Sequence, residues 1–191
     1  MHHIFYFHGF AGSEHSKKIQ WLKEKFGPNN ITAPTLPVNP DILESTIVQQ
    51  IQAHQGQPIV FAGISLGGWW ATYFSQKYQA PCIIVNPASN PSNALMRYLN
   101  QPVLRRDCSD IITVAPEDIE GYGQRELWLK ECPFNGALVN LFLAEDDTVI
   151  DYKETLAAFP EVSMLALFPN GEHSFEAHWP FVMKRLEKLV Q

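Results

Sequence analysis

Six short apolar runs, each closed by turn residues, set the architecture open to this chain: residues 4–7, 31–35, 58–62, 82–85, 138–143 and 164–168. Their lengths and flanking turn residues mark them as strands. Between most of them lie helical patterns, over residues 16–26, 41–54, 66–78, 152–159 and 177–189. Parallel neighbours cannot be joined by hairpins, so strand-helix alternation implies parallel strands, right-handed crossovers and helices on both faces of one sheet. The near-continuous apolar character of the runs fits strands buried on both sides. A chain of 191 residues is large enough to bury roughly 70% of its unfolded surface, so a single domain over 1–191 is expected.

One interval breaks the rhythm. Residues 86–136 carry Pro87, Pro91, Pro102, Pro116 and Pro133, with helical pieces near 93–99 and 117–130. That is too long for an ordinary connection, and insertions of this size usually cover or line a site. It is read as a lid over the carboxyl ends of the strands, spanning about residues 87–136. The alternative is one crossover helix with long irregular ends. Residues 28–40, rich in proline, are expected to form an extended lead-in to the second helix.

The third run leads into Gly63-Ile64-Ser65-Leu66-Gly67-Gly68 and then into the helical Trp69-Trp70-Ala71-Thr72-Tyr73. Strand, sharp turn and helix form the setting of a nucleophile elbow, in which a strained serine projects its Oγ above the sheet. Glycines at 63 and 67 remove side chains where strand and helix approach. By itself G-x-S-x-G arises by chance in about one protein of twenty of this length, and its alternative reading is a tight strand-to-helix turn.

A serine hydroxyl needs a base within hydrogen-bond reach and a third group to orient that base. In this chain order the acid follows a later strand and the histidine follows the last one. After the fifth run comes Ala144-Glu145-Asp146-Asp147-Thr148-Val149-Ile150-Asp151, and after the sixth Pro169-Asn170-Gly171-Glu172-His173-Ser174-Phe175. Of the seven histidines, His173 stands where the base belongs. Asp147 is taken as the acid, with Asp146 and Asp151 as competitors; Asp151 could also cap the helix that begins near Tyr152. After the first run, Phe7-His8-Gly9-Phe10-Ala11-Gly12-Ser13 occupies the position of an oxyanion loop, so the hole is assigned to the backbone amides of Phe10 and Leu66. His8 is expected to brace that loop. Arg97, Arg105 and Arg106 are lid residues that could meet an anionic substrate.

Together these features point to the α/β-hydrolase fold: an open, mostly parallel six-stranded sheet of order 2-1-3-4-5-6, helices on both faces, and a small lid. Composition narrows the partners. With 14 basic against 20 acidic residues, net charge -6, the chain lacks the footprint that nucleic acid requires. No apolar run approaches the ~20 residues of a membrane span, and residues 1–9 do not read as a signal peptide. Cys82, Cys108 and Cys132 form neither a disulfide framework nor a zinc motif. A cytoplasmic protein is expected.

The same pieces resemble the YqiA/YcfP-like family of small bacterial α/β-hydrolases along nearly the whole chain. The residues that carry the likeness are His8-Gly9-Phe10, Ser13, Ser16 and Lys17, the turn at 63–68, Val85-Asn86-Pro87-Ala88, the segment 147–152 and the segment 171–175. The resemblance implies an esterase acting on small acyl esters, with Ser65, Asp147 and His173 at the triad positions and with no metal or organic cofactor. A thioesterase acting on acyl-CoA or an acyl carrier, and a non-catalytic binding protein of the same fold, are the alternatives. Two departures stand out: Asp146 replaces the glycine expected before the acid, and the lid matches poorly.

Overall fold

In the computed structural model, which describes residues 2–159 and 161–191, six parallel strands form one sheet. They are β1 (His3–Phe7), β2 (Ile31–Thr32), β3 (Ile59–Ile64), β4 (Cys82–Val85), β7 (Val139–Ala144) and β8 (Met164–Phe168), in spatial order β2-β1-β3-β4-β7-β8. The order is the one expected from the six apolar runs. Two further strands, β5 (Pro102–Leu104) and β6 (Ile111–Thr113), pair antiparallel as a separate hairpin. That hairpin was not anticipated from the sequence.

The helices are α1 (Lys17–Phe26), α2 (Pro40–Ala53), α3 (Leu66–Tyr78), α4 (Pro91–Met96), α5 (Pro116–Glu131), α6 (Tyr152–Ala158) and α7 (Trp179–Val190). Side chains alternate across each strand, and the two faces of the sheet seed two cores. Ile4, Tyr6, Val60, Ala62, Ile83 and Val85 face α1 and α7, meeting Ile19 and Leu22 from one and Trp179, Val182 and Leu186 from the other. Phe5, Phe7, Phe61, Ile84, Leu141 and Leu143 face the opposite way, toward α2, α3 and α5. Each fully buried side chain of this kind contributes about 1.5–3 kcal/mol. The three- and four-residue spacing of the buried positions in α1, α2 and α7 marks one-sided helices. By contrast α3 is buried continuously from Gly67 to Gln76, as befits a helix clamped between the sheet and α5.

Strand β2 stops at Thr32 instead of reaching residue 35, because Pro34 has no N–H to offer the ladder. Beyond it the chain leaves the sheet, and Leu36 sends its N–H to His8 instead. Between β4 and β7 lie α4, the hairpin and α5. Helix α5 lies on α3, with Trp70 Nε1 donating to Tyr122 Oη at 3.2 Å. It is also tied to α2 and α3 by ion pairs, where Arg125 reaches Asp41 and Glu44 and Glu44 in turn takes Lys77. Among the described residues no helix is long and apolar enough to cross a membrane.

Candidate active site

Ser65 sits between β3 and α3 with φ 57° and ψ -126°, a backbone state that costs a non-glycine residue about 1–3 kcal/mol. Its neighbours enforce it. Ser65 N donates to Val85 O at 3.0 Å, and Ser65 O accepts from Trp69 N at 3.2 Å and Ala88 N at 3.1 Å. The flanking glycines are steric requirements: a Cβ at Gly63 would lie 2.2 Å from Gly67 O, and one at Gly67 would lie 2.1 Å from Phe7 O. The result lifts Ser65 above the carboxyl ends of the strands, where it lines a cavity of about 760 Å³.

The loop after β1 passes directly over the serine, since a Cβ on Gly9 would stand 3.7 Å from Ser65 Oγ. His8 holds the loop in place. Its Nε2 accepts the Leu36 N–H at 2.9 Å, which requires that nitrogen to be unprotonated, so Nδ1 carries the hydrogen and donates to Gly9 O at 2.8 Å. Burial pushes its pKa down to about 4 despite the Gly9 contact. His8 is therefore a neutral brace, as expected. Among the described residues neither Phe10 N nor Leu66 N donates a hydrogen bond, and both residues line the cavity with Ser65. Leu66 opens α3, whose first N–H groups have no partner within the helix.

Three aspartates in the loop after β7 take three different positions. Asp147, its side chain 1% exposed, meets His173 Nδ1 through Oδ2 at 2.7 Å. Its other oxygen accepts from Val149 N at 2.7 Å and Ile150 N at 3.0 Å. Burial alone would raise its pKa, but the hydrogen bond from His173 and the two amides hold the carboxyl below its ordinary value. Asp146 instead braces the histidine loop, accepting from Gly171 N at 2.8 Å and Glu172 N at 2.7 Å. Asp151 caps α6 through Lys153 N at 2.9 Å.

His173 and Ser65 line the same cavity; among the described residues they share no hydrogen bond. Such contacts are often long in ligand-free sites and tighten when a substrate is bound.

Two site features were missed in the sequence reading. The first is the role of Asn86, named above only among the residues that carry the family likeness; it is 1% exposed and at φ 40°. Its Nδ2 donates to Glu172 O at 2.9 Å and His173 O at 3.2 Å, while Oδ1 accepts from Ala144 N at 2.9 Å. One side chain thus ties the end of β4 to the acid and histidine loops. The signal was an asparagine just past a strand, a residue type that tolerates positive φ and bonds backbone on both sides. The second concerns Arg105, which was grouped with Arg97 and Arg106 as able to meet a substrate anion. The structure corrects this: Arg105 is 6% exposed, with its guanidinium spent on Gly12 O and Leu36 O. Arg97 and Arg106 do line the cavity. Among the described residues no group of three or more His, Cys, Asp or Glu side chains is placed to hold a metal ion.

Comparison with known proteins places this fold. A family model described as "Uncharacterised protein family (UPF0227)" matches residues 3–190. Among solved structures, Est1E from Butyrivibrio proteoclasticus aligns with TM-score 0.71 at 13% identity over 98% of this chain and 86% of its own. Alpha/beta hydrolase domain-containing protein 10 from mouse gives 0.72 at 12% identity over 98% and 88%. The monoacylglycerol lipase of Paleococcus ferrophilus gives 0.67 at 14% identity over 96% and 93%. At these identities the likeness establishes the α/β-hydrolase fold.

Proposed function

We propose that this chain, which belongs to the UPF0227 or YqiA/YcfP-like family, is a serine hydrolase that cleaves small acyl esters through Ser65, His173 and Asp147. The observation that carries the reading is the 2.7 Å contact between buried Asp147 and His173 Nδ1, on the rim of the cavity into which the strained Ser65 turn opens. Structural neighbours that are lipolytic enzymes, the monoacylglycerol lipase of Paleococcus ferrophilus among them, agree with it.

Asp147 fixes the imidazole tautomer with Nδ1 protonated, which leaves Nε2 free to accept a proton. His173 Nε2 takes the proton of Ser65 as Oγ attacks the ester carbonyl. The amides of Phe10 and Leu66 hold the oxyanion, a position where one donor is typically worth ~10² to 10³ in rate. The imidazolium then protonates the leaving alkoxide, and a water activated by His173 hydrolyses the acyl-enzyme. Within the expected lid segment 87–136, α4 and the turn of the β5–β6 hairpin act as the lid, with residues from the stretch 88–107 lining the cavity, whereas α5 serves as a crossover helix packed on α3.

A fluorophosphonate probe tests the assignment. Wild type should be labelled and should hydrolyse p-nitrophenyl acetate or butyrate, while Ser65→Ala should lose both and His173→Ala should lose at least ~10³ in kcat. Unlabelled, inactive wild type would exclude the hydrolase reading.

A further inference from the structure

The cavity at Ser65 has an uneven wall. On the side built by the start of α1, Ser16, Lys17 and Lys18 line it together with Arg106 from the lid. Ser16 occupies the N-cap position, yet its hydroxyl makes no capping bond. Its Oγ is buried and has no hydrogen-bond partner among the described residues. A buried hydroxyl without a partner is uncommon and calls for a reason. The backbone amides of Lys17 and Lys18 likewise donate to nothing among the described residues, and they stand at the positive end of a ten-residue helix.

The charges on this wall are neutralised only in part. Lys17, Lys18 and Arg106 face two carboxylates, Asp107 and Glu176. Glu176 lies 3.7 Å from Lys18, and its own side chain is 48% exposed against 13% for the lysine. Burial lowers the pKa of Lys18, and Glu176 and Asp107 offset that only in part, so the half-buried ammonium has a single close partner that is itself half exposed. The wall formed by residues 148–154 and the end of α4 has the opposite bias, with Arg97 against Asp151 and Glu154. A substrate anion entering this cavity therefore has one favourable side.

We propose that the α1 wall is an anion subsite, in which the Ser16 hydroxyl, the Lys17 and Lys18 amides, and the Lys18 and Arg106 side chains hold a carboxylate or phosphate carried by the substrate. It rests on the hydrolase reading and narrows it to esters or thioesters with an acidic group on one side of the scissile bond. Helix-end amides, a hydroxyl and cations are the donor set that such oxyanions take.

Four substrates distinguish the anion's source. A carboxylate on the acyl side is probed by p-nitrophenyl hydrogen succinate against p-nitrophenyl butyrate. A phosphate on the leaving group is probed by S-butyryl coenzyme A against S-butyryl N-acetylcysteamine. Wild type is expected to favour the charged member of one pair in kcat/KM by about tenfold or more, and added salt should erode the preference. Ser16→Ala and Arg106→Gln should each reduce it several-fold, and the double variant should bring it close to unity, the ratio being taken within each variant so that any change common to the charged and neutral esters cancels. Ser16→Ala removes no internal hydrogen bond, so its thermal midpoint should match wild type, which separates loss of the subsite from loss of fold.

No charge preference in either pair, or a preference that survives the double variant, would overturn the subsite while leaving the hydrolase reading intact. If no ester is hydrolysed at all, calorimetric titration of the same four compounds into Ser65→Ala protein still decides it, since charge-selective binding needs no turnover. Equal binding of charged and neutral members then rejects it.

Discussion

Asp146, Asp147 and Asp151 differ less in chemistry than in what their backbone positions let them reach. Asp147 faces His173, Asp146 faces two amides of the histidine loop, and Asp151 faces the first turn of α6. The same isosteric change therefore has three different consequences. Asp147→Asn should lower kcat by about 10⁴, because an amide at that position favours the wrong imidazole tautomer. Asp146→Asn keeps an oxygen that can accept from Gly171 N and Glu172 N and should stay within a few-fold of wild type, whereas Asp146→Ala should lose about tenfold or more as the loop loosens. Asp151→Asn should change neither activity nor stability, since asparagine caps a helix as well as aspartate. Steady-state kinetics on p-nitrophenyl butyrate reads all of these; near-normal kcat for Asp147→Asn would remove it as the acid. Asn86 belongs with them as a positioning residue: Asn86→Ala strips bonds from Ala144 N, Glu172 O and His173 O. A shift of the imidazole by about 1 Å is enough to cost ~10², so kcat should fall by that order with KM little changed.

At the scale of elements, the fold was legible because its signals are periodic. The six apolar runs, the spacing of Leu43, Ile47 and Ile51 in α2, and that of Trp179, Val182 and Leu186 in α7 each repeat one rule several times. The β5–β6 hairpin repeats nothing: its strands have three residues each, and its cross-strand pair Leu104 and Ile111 is exposed at 62% and 67%. Such short, outward-facing strands carry no amphipathic pattern to detect. The acid was ambiguous for a related reason, because Asp146 and Asp147 are neighbours and only the path of the loop decides which carboxylate turns to the imidazole. Helix α5 owes its seat to long-range polar contacts that pattern cannot foretell. Arg125 gives Nε and Nη2 to Glu44 Oε2 at 2.9 and 2.6 Å and Nη2 to Asp41 at 2.8 Å, and the ring of Trp70 lies under its guanidinium. Glu44→Ala leaves Arg125 only Gly121 O and the exposed carboxylate of Asp41, and strips Tyr73 Oη and Lys77 of their shared acceptor, so unfolding in urea should show a loss of about 1–3 kcal/mol. Because this cluster lies apart from the cavity lining, hydrolysis of p-nitrophenyl acetate should remain within a few-fold of wild type. A large drop in kcat with little change in stability would mean that the clamp acts on the site itself.

For the molecule as a whole, two buried histidines that resist protonation set how the fold responds to acid. His8 and His3 are both buried, at 5% and 4% exposure. Each pKa falls from 6.5 to about 4, by burial for both and, for His3, also by His54, whose ring centroid lies 3.7 Å away. Between pH 6.5 and about 4 the unfolded chain binds protons at these sites that the folded chain refuses. Stability is then greatest above pH 6.5 and falls as the pH drops toward 4, below which these two groups take no more. For His8 alone the shift corresponds to on the order of 3 kcal/mol. Asp147 works in a lower window: its carboxyl is held below 3.8, so its contribution is complete above that value and is lost only as the pH falls further. Acid unfolding should accordingly begin with the histidines, before the triad carboxylate is protonated. Urea titrations at half-unit steps from pH 7 to 4.5 should show stability falling with a slope approaching two protons near pH 5. His3→Gln, which can still bond Thr32 Oγ1, should reduce that slope by about one proton, or about 1.4 kcal/mol per pH unit. Constant stability from pH 7 to 5 would show that neither imidazole is held neutral by the fold.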